Sequence, residues 1–359
     1  VLGQSGISGT MATASASTSV TIPDSTPPVL TWANEANSYL NVTSNVTGTT
    51  FAFTLSESVV AISASNFTLT GNLVCSTKTL TNVSGLNYTI TLANCTNGTS
   101  GSIQLNASAI RDASNNYALA TTATRTLTID TTAPTASFTT KPGAYTTSIS
   151  NIHYTVTFSE AVTSMAIGKL SIAGAGCSII NFVATSSTVY DFDVTGCNDG
   201  VTATVTLAQN AGTDVAGNIG PASSVQAATI IDATAPTVTT WSNSQAALTN
   251  ATTLTYTLTF SEAVSGLIAS DFALTGCSAT PTIATSNNIT FTVTLTGCTS
   301  GSTVAIKLVA GSVVDQASNA GPATDTATIS RTLDYVAPQV SWGSNPPSPT
   351  KANSTFAIQ

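Results

Sequence analysis

The sequence predicts an all-β chain made of tandem two-sheet sandwiches, and three observations predict it. Apolar residues alternate singly with Thr and Ser, the pattern of antiparallel sheets with one wet face. Leu254, Tyr256, Leu258 and Phe260, for example, interleave with Thr255, Thr257 and Thr259. A set of landmarks recurs with a period near 102 residues, which marks a repeat architecture. The 6 cysteines fall two to a repeat.

The linkers come first in each repeat. Asp24-Ser-Thr-Pro-Pro28, Asp130-Thr-Thr-Ala-Pro134, Asp232-Ala-Thr-Ala-Pro236 and Asp334-Tyr-Val-Ala-Pro338 share one pattern, with the last Pro recurring after 106, 102 and 102 residues. They bound three full repeats at 25–130, 131–232 and 233–334. Residues 1–24 are expected to be the last strand of an upstream repeat, because Val1–Gly9 reads like Val313–Gly321. Residues 335–359 are expected to start a fourth repeat.

Strands follow the linker. In the third repeat, runs of period two lie near 237–241, 252–260, 271–275, 279–284, 288–296, 302–309 and 324–333. That is about seven short strands in about 100 residues, with no sustained 3.6-residue pattern, which points to a two-sheet sandwich. Periodicity alone leaves prealbumin-like and jelly-roll arrangements open. Trp32, Trp241 and Trp342 stand on first strands, with Phe138 in the second repeat, a regularity that indicates packing.

Each repeat then carries its cysteine pair. Cys75 and Cys95, Cys177 and Cys197, and Cys277 and Cys298 are separated by 20, 20 and 21 residues. One disulfide inside each repeat is predicted, closing a loop worth roughly 3 kcal/mol on the chain-entropy estimate. Disulfides place the chain in an oxidising compartment, extracellular or at the cell surface.

Composition excludes several functions. With 8 Lys and Arg against 16 Asp and Glu, the chain cannot form the basic stripe of a nucleic-acid binder. No apolar run is long enough to span a membrane. There is 1 His, so no triad or zinc set is available. His153 is expected to face solvent on its strand, and Asp191 and Asp193 share one strand face only in the second repeat. An enzyme is not expected.

The carboxylates are the candidate chemistry. Most of them occupy equivalent places: Asp24, Asp130, Asp232 and Asp334 in the linkers; Glu57, Glu160 and Glu262 after a Ser; and Asp112, Asp214 and Asp315 in an Asp-Asn loop. That loop reads Asp112-Ala-Ser-Asn115, Asp214-Val-Ala-Gly-Asn218 and Asp315-Gln-Ala-Ser-Asn319. Lys and Arg do not repeat beside these acids. Hard cations take six to eight oxygen ligands, so calcium at the repeat junctions is the expected cofactor. Asp and Asn also make good turns by capping their own backbone, but that role explains the repeated Glu poorly. Nine residues after each Glu come Asn66, Lys169 and Asp271, a second candidate ligand position or a surface turn. Asn-x-Ser/Thr motifs make Asn41, Asn45, Asn66, Asn82, Asn87, Asn106, Asn250 and Asn288 candidate glycosylation sites.

These words together resemble a known family. Asp-x-Thr-Ala-Pro-Thr at 130–135 and 232–237, Thr-Phe-Ser-Glu-Ala-Val at 157–162 and 259–264, Ala-Ser-Asp-Phe-Ala-Leu-Thr-Gly at 269–276 and Asp214-Val-Ala-Gly-Asn218 are similar to the bacterial Ig-like repeats of large surface and biofilm adhesins. The resemblance spans about 24–338. It implies immunoglobulin-like sandwiches in a tandem stalk, often with calcium near the junctions at the Glu, loop Asp and linker Asp positions. Two departures are the internal disulfide and the low charge. The expected function is a non-catalytic extracellular stalk whose partners are its own neighbouring repeats, with a surface glycan or matrix target met elsewhere through a tip. The alternatives are a subunit that assembles with copies of itself into a filament, sheath or surface layer, and a glycan-binding module.

Overall fold

The computed structural model describes residues 22–341. Most of the expected upstream strand (1–24) and fourth-repeat start (335–359), with Trp342, lies outside these residues. The chain divides into two compact units. The first runs to Pro134 and includes Ala161–Thr163 and Gly212–Gly220; the second holds Thr135–Glu160, Ser164–Ala211 and the chain from Pro221.

In the first unit the strands are β1 (Leu30–Trp32), β2 (Ser38–Leu40), β3 (Thr49–Leu55), β4 (Phe67–Leu69), β5 (Cys75–Ser84), β6 (Asn87–Cys95), β7 (Ser100–Gly101), β8 (Ile103–Leu105), β9 (Thr121–Thr122) and β10 (Leu127–Ile129). One sheet has the order β1-β3-β6-β5, and the opposing layer consists of β2-β10-β7 and β4-β8-β9. The first strand of the sandwich is therefore split: β1 runs antiparallel to β3, then β2 crosses over and runs parallel to β10. Alternation places Phe51, Phe53 and Leu55 of β3 and Ile90 and Leu92 of β6 against Ile103, Leu105, Leu127 and Ile129, all nearly inaccessible to solvent. Burying each such side chain contributes about 1.5–3 kcal/mol. Arg125, between β9 and β10, is also buried. It donates to Ser38 Oγ, Thr49 Oγ1 and Thr50 O, pairs with Glu35 and lies 4.9 Å over the Phe51 ring.

The second unit contains two sandwiches of the same plan. In one, the sheet Ala136–Thr140, Ile152–Phe158, Val189–Thr195, Ser178–Ala184 accompanies the sheet Tyr145–Thr146, Val225–Ile231, Thr202–Leu207, Leu170–Ala173. In the other, Val238–Asn243, Thr253–Phe260, Thr290–Thr296, Thr282–Thr285 accompanies Leu248–Thr249, Ile329–Leu333, Thr303–Leu308, Phe272–Thr275. The chain is thus all-β, built of repeated Ig-like sandwiches. The seven expected strands of the third repeat are all present. The sequence pattern missed Leu248–Thr249 and the hairpin of Val313–Val314 with Ala320–Gly321, because two residues are too few to show a period.

One helix, α1 (Val42–Thr47), was also not expected. It is a single capped turn and a half. Asn41 Oδ1 accepts from Thr43 N and Ser44 N, and Gly48 ends the helix at φ 81°. Caps of this kind hold so short a helix where propensity alone would not.

The disulfides are Cys75–Cys95, Cys177–Cys197 and Cys277–Cys298, one in each repeat as expected. The first joins β5 to β6 within one sheet, at directly opposed positions. The two described tryptophans pack inward. Trp32 meets Phe51, Phe53 and Phe67, and Trp241 stacks on Tyr256 and Phe272. Their indole N–H groups donate to Thr121 O and Ala327 O.

Candidate cation sites

The Asp-Asn loop is a closed turn. Asn319 N donates to Asp315 Oδ1 at 2.9 Å, and Asp315 N donates to Asn319 O at 3.2 Å. The Asn319 side-chain Nδ2 donates both to Asp315 Oδ2 and to the linker carbonyl Asp232 O, each at 2.8 Å. Asn218 repeats this on Asp214 Oδ2 and Asp130 O, and Asn116 repeats it on Asp112 Oδ2 and Asp24 O. In the first repeat the gripping residue is therefore Asn116, one place beyond the Asn115 of the sequence landmark. Asn115, Gly217 and Ser318 share the preceding position, with φ of 70°, 89° and 75°, the left-handed region in which Asn and Gly are least strained.

The Ser before each Glu also has a defined role. Ser56, Ser159 and Ser261 Oγ accept from Val29 N, Thr135 N and Thr237 N at 2.9–3.0 Å, fastening the chain just past the linker proline. Glu57 and Glu262, which follow Ser56 and Ser261, are thereby placed beside the linkers of their own units.

Within the first unit, Asp24, Glu57 and Asp112 offer carboxylate oxygens that all lie within 4.8 Å of one another. Within the second unit, Asp232, Glu262 and Asp315 do the same. Asp112 and Asp315 are buried, and the Glu residues are half-buried. Burial pushes the Glu57 carboxyl above its ordinary range, and Asp24 and Asp112 push it further. Glu262 rises for the same reasons, with Asp232, Asp315 and Asp199 as its charged neighbours. Burial, then Asp315 and Asp199, raises Asp232, against one backbone hydrogen bond. Asp112 behaves oppositely: burial pulls it up, but the side-chain and backbone donors of Asn116, Ser114 and Asn115 outweigh that and hold it low. In the first unit the loop thus holds Asp112 ionised while Glu57 bears the repulsion. Donors made only of oxygen suit a hard cation, and the acidic clusters are able to coordinate one.

The remaining candidates are placed as follows. Asp130 and Asp214 lie in the first unit, where Thr132 N donates to Asp130 Oδ1. Glu160 follows the strand Ile152–Phe158 in the second unit. Asp334 N donates to Thr249 O. The position nine residues after the Glu is a turn: Asn66 and Asp271 accept from Ser63 N and Ile268 N, closing single 3-10 turns, and Lys169 Nζ donates to Asn210 O.

One set of residues escaped the sequence reading. Two places after the second cysteine of each repeat, Asn97, Asp199 and Ser300 accept from Thr131 N, Ala233 N and Tyr335 N, just past the next linker Asp. A polar acceptor at a constant offset from that cysteine was the available signal. Among these, Asp199 adds a fourth carboxylate near Glu262.

The sequon residues differ in setting. Asn45 is buried, and its amide both donates to Cys95 O and accepts from Cys95 N at 2.8 Å. Asn41 caps α1, and Asn66 Nδ2 donates to Ala109 O. Asn106 and Asn87 accept from Thr68 and Thr54 hydroxyls, and Asn82 donates to Gly85 O. Asn250 and Asn288 are exposed. His153 is half exposed and lies 3.0 Å from Asp193. Among the described residues no helix is long and apolar enough to cross a membrane.

Residues 232–331 match the family model of a bacterial Ig-like domain, so the third repeat carries the resemblance seen in its motifs. Among curated proteins none matches the chain. Solved structures similar to it include FdeC, an Escherichia coli adhesin, at 13% identity over 85% of this chain and 96% of that one, with a TM-score of 0.37. Invasin, a bacterial integrin-binding protein, is 13% identical over 85% of this chain and 59% of that one, with a TM-score of 0.36. Domains of the surface layer protein SbsC are 12% identical over 88% of this chain and 56% of that one, with a TM-score of 0.21.

Proposed function

We infer that the chain is a non-catalytic extracellular spacer, a stalk region of a surface adhesin, with calcium at its linker carboxylates. The observation that carries this reading is the linker at Asp232. Its carbonyl is gripped by Asn319, the next amide by Asp199 and the amide of Thr237 by Ser261, while Asp232, Glu262 and Asp315 gather beside it. A linker fastened at three points is stiff, and sandwiches with their own cores let length grow by duplication. Asp315 beside them helps to raise the proton affinity of Asp232 and Glu262, and a divalent cation would relieve that crowding. Calcium is favoured because it takes six to eight oxygens at about 2.3–2.6 Å in flexible geometry. The disulfide in each repeat supports an oxidising, extracellular setting. Repeat boundaries at 25–130, 131–232 and 233–334 suit this reading, with neighbouring repeats as the main partners. Exposed Asn250 and Asn288 are the sequon residues best placed to carry glycans.

The test is a calcium titration of the full chain followed by thermal unfolding and small-angle scattering, with and without chelator. Calcium should bind, raise the unfolding temperature and lengthen or stiffen the particle. An unfolding curve indifferent to calcium and chelator would remove the cation. A compact particle in both conditions would remove the stalk.

A further inference from the structure

The outer face of one sheet in the second repeat differs from its counterparts. Cross-strand partners there are His153 with Asp193 and Thr155 with Asp191. At the same places the third repeat pairs Thr255 with Thr294 and Thr257 with Thr292, and the first pairs Thr50 with Thr91 and Ala52 with Thr89. Neutral side chains thus serve the sheet in two repeats. In the second, the chain's 1 His stands between two carboxylates, and none of the three belongs to the repeating landmarks.

The edge strand Ser178–Ala184 and the residue after it fix both carboxylates at Oδ2. Asn181 Nδ2 donates to Asp193 Oδ2 at 2.9 Å, and Thr185 Oγ1 donates to Asp191 Oδ2. A bulge aims the first of these. The strand's register on Val189–Thr195 breaks between Ile180 and Val183, and Asn181 takes a φ of 54° there. The matching strand of the third repeat, Thr282–Thr285, keeps its register. With Oδ2 held, each carboxylate turns Oδ1 to the imidazole. Asp193 Oδ1 lies 3.0 Å from His153 Nδ1, a hydrogen bond, and Asp191 Oδ1 lies 3.7 Å from Nε2, too far for one. Thr155 Oγ1 donates to Asp191 Oδ1 at 2.7 Å and is 3.5 Å from Nε2. Thr185 and then Thr155 hold the Asp191 carboxyl below its ordinary range against burial, and Asn181 and then His153 do so for Asp193.

An imidazole that donates Nδ1–H to a carboxylate presents Nε2 as a lone pair, the arrangement that orients and strengthens a histidine ligand. Here the lone pair faces an anionic oxygen, with the nearby hydroxyl proton already given to that oxygen. We propose that His153 Nε2 and Asp191 Oδ1 bind a divalent transition cation, with Asp193 as the carboxylate that positions the imidazole. Zinc bonds near 2.1 Å set two tetrahedral ligands about 3.4 Å apart, so the 3.7 Å separation closes by a small rotation of either side chain. Nitrogen beside carboxylate oxygen suits zinc, copper or nickel, whereas calcium and magnesium take oxygen alone. A single His cannot build the closed four-ligand set of a structural zinc. This site is instead open: the imidazole is 52% accessible, so water fills the remaining positions. The proposal is independent of the linker carboxylates and of calcium.

Zinc titration of the full chain tests it by nuclear magnetic resonance, at mildly alkaline pH and in excess calcium, which competes for the linker carboxylates. With 1 His in the chain, its ring signal reports this site alone. That signal should shift to saturation below about 1 mM zinc. Asp191→Asn, which removes the charge of a ligand, should weaken binding at least about tenfold, and Asp193→Asn by about 10–100-fold. Asp325→Asn, which removes the partner of Lys307 in the third repeat, should leave the shift unchanged. His153→Thr installs the residue that the third repeat carries and should bind one zinc fewer in equilibrium dialysis. A ring signal unmoved at about 1 mM zinc, an affinity unchanged in Asp191→Asn or Asp193→Asn, or a His153→Thr chain that binds as much zinc as the wild type would each overturn the proposal.

Discussion

Replacing Asn319 by alanine removes the side chain that joins the loop to the linker. Three bonds are lost: Nδ2 to Asp315 Oδ2 and Nδ2 to Asp232 O, both at 2.8 Å, and a long one to Thr234 O at 3.4 Å that adds little. The first has a charged acceptor and contributes about 1.5–3 kcal/mol; the second is neutral and contributes about 0.5–1.5 kcal/mol. Asp315 is nearly buried, so its freed oxygen is poorly compensated by water. The backbone bond from residue 319 to Asp315 Oδ1 remains, which limits the damage. The freed carbonyl regains some solvent, placing the total near the lower half of the range, at about 2–3 kcal/mol. For a repeat of this size that lowers the unfolding temperature by on the order of 10 °C. Urea unfolding followed by Trp241 fluorescence in a Trp32→Phe, Trp342→Phe background reads the third repeat itself, since Trp241 stacks within that core. A loss under about 0.5 kcal/mol, the range of an ordinary surface substitution, would refute the idea that Asn319 fastens the linker.

Three further outcomes are expected. Ser318→Gly should stabilise the third repeat by up to about 1 kcal/mol, because Ser318 has φ 75° where the second repeat has Gly217; a lower urea midpoint would contradict this. Tyr256→Phe should add about 1 kcal/mol, because the buried hydroxyl has no hydrogen-bond partner among the described residues. Burial likewise pushes the Tyr154 hydroxyl up to about 12, and a loss of stability in Tyr154→Phe would reveal a partner. Glu262→Gln should raise the unfolding temperature in chelator at pH 7. The Glu262 carboxyl is raised above 4.5 by burial and then by Asp232, Asp315 and Asp199, so its favourable contribution is present below pH 4.5 and lost as pH rises through its folded value. The variant's gain should therefore vanish below about pH 4.5, and its response to calcium should weaken; a gain independent of pH would exclude carboxylate repulsion as the cause.

The site was legible to different depths. The linker Asp, the Glu after Ser and the loop Asp were each visible as repeated acids, because 16 acids in 359 residues make recurrence conspicuous. The gripping Asn116 was misplaced by one, since the doubled Asn115 and Asn116 look alike until the left-handed turn gives one of them the backbone strain and the other the bonds. Asn97, Asp199 and Ser300 were marked only by their constant offset from the second cysteine and not by residue type, because any short acceptor serves a backbone N–H and three different residues do so here. Asn45 looked like a sequon and proved to be a buried brace on Cys95.

By itself the sequence determined the repeat, the sandwich class and the cysteine partners. These rest on local signals: a period of two along each strand, a fixed spacing of about 102 residues, and two cysteines in each unit. Only the tertiary structure decided which strands share a sheet, that the first strand divides between the two layers, and that the acids separated along the chain meet within 4.8 Å. The reason is physical. Alternation tells a strand which side to bury, but not which neighbour to bond. Carboxylates such as Asp232 and Asp315, 83 residues apart in sequence, approach only after the intervening core has closed and supplied the burial and the amide donors that set their charge.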